Sequence, residues 1–191
     1  MELSEKTVQL QILFEKIEKQ TQSLSACSGL HCLKGCGACC ENPNVETTPL
    51  EMIPLAQELW KSGKAEEVWD ELDAPSCVLY EADPTIPGNG KCGVYPFRPL
   101  ICRIFGYAAR RNKEGALELA TCKKIKEDQP QEIKNAQVAI ENGLEVPILS
   151  EAWLTLLDID PDQATKRYPI NKALKLALEK VGLAHSLEVE V

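Results

Sequence analysis

The stretch Cys32-Leu33-Lys34-Gly35-Cys36-Gly37-Ala38-Cys39-Cys40 decides how the rest of the chain is read. His31 and Cys27 stand just ahead of it. Cysteines two or three residues apart can turn their sulfurs toward one centre, and zinc–thiolate bonds of about 2.3 Å demand that convergence. Gly35 and Gly37 flank Cys36, where a tight turn would present backbone N–H groups to thiolate sulfur. Cys39 and Cys40 are neighbours, and adjacent side chains in extended backbone point to opposite faces. Either they serve two different centres, or one is a thiol standing beside the metal.

Moving outward, Cys77, Cys92, Cys102 and Cys122 follow, and the chain holds nine cysteines in all. The first twenty residues lack the basic-then-apolar layout of an export signal, which predicts a cytoplasmic protein in a reducing compartment. There, clustered thiols serve as metal ligands or redox catalysts more often than as disulfides, and the odd count agrees. Setting Cys27 aside leaves Cys32, Cys36, Cys39, Cys40, Cys77, Cys92, Cys102 and Cys122 as candidate metal ligands. That is enough for two four-sulfur centres, but spacing does not give their connectivity.

Composition bounds the alternatives. With 191 residues, 44% hydrophobic and 26% charged, the chain is of globular type. Its net charge of −8 and 5% aromatic content argue against nucleic-acid or anionic-membrane binding, and no apolar run nears the roughly 20 residues of a membrane span. Residues 91–124 depart from this acidity, with eight basic side chains against Glu114 and Glu118, a net of +6. Cations there can offset the negative charge of a thiolate-bound ion. Arg98, Arg103 and Tyr95 are accordingly expected to orient the centre or face a substrate or cofactor.

The flanks read as helix. Leu10, Leu13, Phe14, Ile17 and Leu24 recur at helical spacing over residues 3–25. Thr48-Pro49-Leu50-Glu51 is a capping box that starts a helix running to Lys61, with Gly63 behind it and a short helix over Ala65–Leu72. Cys77–Tyr80 and Gly93–Tyr95 look like short strands, Asp83–Gly90 like a loop, and Arg111–Gly115 like a hairpin turn. Further helices are expected over Gln131–Asn142, after Ser150, at Asp160-Pro161 and over Asn171–Lys180 with a stop at Gly182. The sum is an α+β protein, mostly α-helical. It divides into an N-terminal amphipathic helix (1–26), a cysteine-cluster metal-binding core (27–128) and a helical C-terminal region packed on that core (129–191).

Cys36-Gly37-Ala38-Cys39-Cys40, then Cys77-Val78-Leu79, then Cys92-x-x-Tyr95-x-x-Arg98-Pro99-x-x-Cys102-Arg103 resembles the CxxCxxCC cysteine-cluster family, the YkgJ-like proteins, over roughly residues 32–122. The resemblance implies zinc or an iron–sulfur cluster bound through these cysteines. The first gap, Cys32 to Cys36, holds three residues where the family name has two. A related cluster in flagellin lysine N-methylases links the family, by analogy alone, to protein modification.

Cys32-x3-Cys36-x2-Cys39 also matches the cluster spacing of radical S-adenosylmethionine enzymes, but Ala38 stands where an aromatic is expected and no train of β/α units follows. The mixture of packed and dispersed thiols places an iron–sulfur cluster ahead of zinc. Three functions remain open. One is an electron-transfer or accessory protein with a protein partner, another a zinc-stabilised structural or interaction protein, and the third a metal- or cluster-dependent enzyme. His31 adjoins the first ligand, but neighbouring side chains diverge, and His185 reads as a bystander. Asp158, Asp160 and Asp162 alternate around Pro161 without a calcium-loop glycine, so capping is their expected role.

Overall fold

The computed structural model describes residues 1–189, with side chains for residues 1–186. It is α+β and mostly helical, with its strands in three two-stranded antiparallel sheets among the described residues. None of the helices is long and apolar enough to cross a membrane, among the described residues.

Helix α1 (Leu3–Ser28) buries Leu10, Leu13, Phe14, Ile17 and Leu24, the stripe the periodicity predicts. It runs past Ser25 and stops before Gly29, whose φ of 78° is left-handed. Strand β1 (Glu46–Thr47) leads into helix α2 (Pro49–Lys61). There Thr48 Oγ1 accepts from Glu51 N at 3.3 Å while Glu51 Oε1 accepts from Thr48 N at 3.0 Å. Such a cap contributes about 1 kcal/mol. Helix α3 (Ala65–Glu71) follows.

Strands β2 (Tyr80–Ala82) and β3 (Gly90–Cys92) pair with Tyr80 opposite Cys92. This corrects the expected strands at Cys77–Tyr80 and Gly93–Tyr95. Tyr80 N donates to Cys77 O at 3.1 Å, which makes Cys77–Tyr80 a turn, and a 3-10 helix takes Tyr95–Phe97. The register is set by the connecting loop, where Asp83 Oδ1 accepts from Thr85 N at 2.8 Å and Ile86 N at 3.2 Å. Helix α4 (Leu100–Ile104) precedes the hairpin β4 (Ala108–Arg111) and β5 (Leu117–Ala120). The Asn112 side chain closes that predicted turn by accepting from Glu114 N and Ala116 N.

The remaining elements are α5 (Lys123–Asp128), α6 (Pro130–Glu141), α7 (Leu149–Ile159), α8 (Pro161–Ala164), β6 (Tyr168–Pro169, paired with β1) and α9 (Ile170–Val189). The expected stop at Gly182 is wrong, because α9 runs through it. The glycine is there for room, since a Cβ would come within 2.7 Å of the Trp60 ring, whose Nε1 donates to Leu178 O at 3.0 Å.

The chain forms two compact units. The first comprises Met1–Leu10, Gly35–Ile101 and the chain from Leu156 onward. Its centre is α2 along α9, with Leu50, Ile53, Leu55, Leu174, Ala177 and Leu178 all buried. The second comprises Gln11–Lys34 and Cys102–Thr155, around Leu24, Leu30, Ala109, Ile125, Ala136, Ile140 and Val146.

Candidate metal centre

In the first unit the cysteine loop is laid along the β2–β3 hairpin. Gly90 N donates to Gly35 O at 2.8 Å, Gly37 N to Gly88 O at 3.4 Å, and Cys36 forms a bridge pair with Asn89. Beyond Gly37 the backbone turns back, with Cys40 N donating to Gly37 O at 2.8 Å and Glu41 N to the same carbonyl at 3.0 Å. Cys77 N then donates to Cys40 O at 2.9 Å, tying the next cysteine to that turn. The Cys77 segment is held from α9 by Asn171. Its Nδ2 donates to Ala74 O (3.0 Å) and Ser76 O (2.8 Å), and its Oδ1 accepts from Val78 N at 3.1 Å. Cys92 lies on β3 across from Tyr80. Cys36, Cys39, Cys40, Cys77 and Cys92 thus share one unit, supplied by three separate segments.

Residues 31–123 match the family model described as "CxxCxxCC: Putative zinc- or iron-chelating domain". That stretch is similar to the CxxCxxCC domain. No curated protein and no solved structure matches the chain.

The electrostatics of this stretch separate its thiols. The Cys39 sulfur accepts from the Cys40 thiol and, against the effect of burial, from the N–H groups of Cys39 and Cys40; Arg98 adds positive charge, and the thiol falls to about 6. Cys77 goes the other way. Burial pushes it up to about 11, with the negative charge of Cys92 and Cys39 adding to the rise against a hydrogen bond from Leu79 N. Burial also raises Cys92, helped by Cys39 and Glu81 and opposed by Val94 N–H and Arg98. Mutual repulsion of this kind among Cys39, Cys77 and Cys92 is what a cation placed among them relieves. Arg98 itself stacks on Tyr95 with its guanidinium carbon 3.4 Å from the ring centroid, and Tyr95 is 57% exposed.

The other predicted residues belong to the second unit. Cys32 is exposed, and its N–H donates to Tyr107 Oη at 2.7 Å. Cys102 is half-buried on α4. Cys122 caps α5, its sulfur accepting from Ile125 N at 3.4 Å. Arg103 packs 4.6 Å from the Phe14 ring centroid and pairs with Glu18 at 3.4 Å, with its side chain 8% exposed. Cys27, set aside on sequence grounds, donates to Leu24 O.

Several basic residues of the 91–124 stretch are neutralised one by one. Lys91 pairs with Glu81, Arg110 with Glu118, Arg111 with Glu151 and Lys123 with Glu127. Arg98 is the cation of that stretch that acts on Cys39 and Cys92. His31 is held through its backbone by Gln129, and its Nδ1 lies 2.9 Å from Gly29 O, so the ring is turned to the main chain. His185 is exposed on α9, and Asp160 caps α8 as expected.

A five-thiol donor set with a nearby guanidinium suits a thiophilic metal in its chemistry. Among the described residues, no three His, Cys, Asp or Glu side chains stand close enough to hold an ion as placed. The charges of Cys39 and Cys92 both act on Cys77, which places these three thiols in one neighbourhood. Tyr80 and Asn171 are the residues here that sequence reading missed; the Tyr80 hydroxyl donates to the Asn89 carbonyl within its own hairpin and the Asn171 side chain to the distant Ala74 carbonyl, and no local motif announces either.

Proposed function

We propose that the chain is a metal-binding protein whose CxxCxxCC domain holds an iron–sulfur cluster through Cys36, Cys39, Cys77 and Cys92, in an electron-transfer or accessory role. The observation that carries this is the gathering of five thiols from three segments into one unit, with Cys39 inclined to ionise near neutral pH. Cys40 is the adjacent thiol that donates to Cys39. A bound cluster supplies one-electron chemistry. The chain's own residues supply the rest. Arg98 offsets negative charge, backbone N–H groups of Cys39 and Cys40 point at sulfur, and exposed Tyr95 with stacked Arg98 offers a contact for a protein partner. Zinc in the same thiolates is the second reading, favoured by the Cys36-x2-Cys39 spacing of structural zinc sites.

The test is iron, zinc and acid-labile sulfide analysis with a visible spectrum, on protein purified without oxygen and without a metal-affinity step. Iron with sulfide and broad visible absorption supports the cluster. Stoichiometric zinc without colour makes the protein a zinc-stabilised partner-binding module. Absence of both metals after anaerobic purification and reconstitution overturns the proposal. Cys36→Ala should empty the site, while Cys122→Ala, which removes a helix cap in the second unit, should leave the metal in place.

A further inference from the structure

Tyr80 sits in a cradle of glycines. A Cβ placed on Gly37 would collide with Tyr80 Oη, Cζ and Cε2, and those are its three nearest contacts. A Cβ on Gly90 would meet Tyr80 Cζ at 2.5 Å and the Glu81 carbonyl at 2.5 Å. The ring therefore lies directly on the backbone of the cysteine loop on one side and of β3 on the other. Its hydroxyl donates to Asn89 O at 2.8 Å, the same carbonyl that accepts from Asp83 N at 2.8 Å. Asn89 in turn packs its side chain against Gly35, 3.3 Å from where a Cβ would stand. Loss of solvent, and then the negative charge of Glu41, Cys40 and Cys36, raise the phenol above its ordinary value.

We infer that Tyr80 is a positioning residue for the metal centre: its ring is the template on which the Gly35–Cys40 loop is laid, holding Cys36, Cys39 and Cys40 within reach of Cys77 and Cys92. This rests on the thiolate-centre reading above and deepens it. A hairpin tyrosine without that role would affect β2–β3 and leave the loop's cysteines unchanged.

The geometry dictates a specific test. Gly37 is not in the left-handed region, so alanine there carries no backbone strain and its cost is the collision with Tyr80. Gly37→Ala, Tyr80→Ala, the double variant and Tyr80→Phe are compared with wild type. One readout is the rate of metal transfer to a colourimetric chelator. The other is the rate at which N-ethylmaleimide labels Cys36, Cys39 and Cys40 in reduced, metal-stripped protein, with Cys122 as internal reference. Gly37→Ala should speed both about tenfold, and adding Tyr80→Ala should make the double variant no worse than Tyr80→Ala alone, because the room for the new Cβ then exists. Tyr80→Phe keeps the ring and should stay within about threefold of wild type. Multiplying effects of Gly37→Ala and Tyr80→Ala, or wild-type labelling in Tyr80→Ala, would overturn the inference. Tyr80→Leu serves in its place if Tyr80→Ala does not fold. A wild-type protein that holds no metal sinks the metal centre, whereas the labelling readout still decides whether Tyr80 positions the loop.

Discussion

In metal-free, reduced protein, Cys39 and Cys77 should differ sharply in their reaction with iodoacetamide. Only the thiolate reacts. With Cys39 lowered to about 6 and Cys77 raised to about 11, roughly nine-tenths of Cys39 is ionised at pH 7 against about one part in ten thousand of Cys77. The lower-pKa thiolate is the weaker nucleophile, and a Brønsted slope of about 0.4–0.5 over those five units gives back about two orders of magnitude. The net preference for Cys39 is about 30- to 100-fold, and the burial of Cys77, 9% exposed, widens it further. The assay is a timed pulse of isotopically labelled iodoacetamide across pH 5–9, followed by peptide mass spectrometry. The Cys39 rate should flatten above pH 7 with a midpoint near 6, and Cys40→Ala should move that midpoint up by removing the S–H donor. A Cys39 rate still climbing tenfold per pH unit at pH 8 would refute the reasoning, as would a midpoint indifferent to Cys40→Ala.

Three further outcomes concern the frame around the thiols. Glu51, 3% exposed, accepts from Thr48 N, Thr48 Oγ1 and Leu100 N, so Glu51→Ala leaves three buried donors unsatisfied and should cost about 3–5 kcal/mol in urea unfolding. Burial alone would raise the Asp160 carboxyl, but Lys6 at 2.7 Å and two hydrogen bonds from Gln163 hold it at about 2. The stability it adds is therefore present above its unfolded value near 4 and lost as pH falls through about 2. Asp160→Asn keeps the α8 cap and loses the charge, so it should cost about 1–2 kcal/mol at pH 7 and almost nothing at pH 2, whereas Asp160→Ala should cost about 1 kcal/mol more at pH 7. Gly182→Ala drives a Cβ to 2.7 Å from Trp60 and should cost about 1–3 kcal/mol, with a shift in tryptophan emission on the same variant.

What the sequence made legible was local. The Thr48–Glu51 box fixed the start of α2 because all its partners lie within four residues, and the β4–β5 hairpin was readable because Asn112 closes its own turn. Gly182 was misread because a helix-stopping glycine and one that admits a neighbouring ring look alike until the ring is placed. The strand edges at Tyr80 and Cys92 shifted because their register depends on the Asp83 turn between them. At the candidate site, residue type was visible and grouping was not. Nothing in the spacing separates Cys32, Cys102 and Cys122 from the five thiols of the other unit, and nothing near Cys77 announces that Asn171, more than ninety residues away, holds its segment.

Because the Gly35–Gly37 segment is fastened to Gly88 and Gly90 by main-chain hydrogen bonds, its path does not depend on which side chain occupies position 36. Substituting histidine or aspartate for Cys36 should change the chemistry of that side chain while leaving the carbonyl of Gly35 and the N–H of Gly37 engaged as before. The loop is thus a socket whose shape and chemical preference are set by different atoms. The side chain at position 36 is therefore open to exchange without first unmaking the hydrogen bonds that hold the loop.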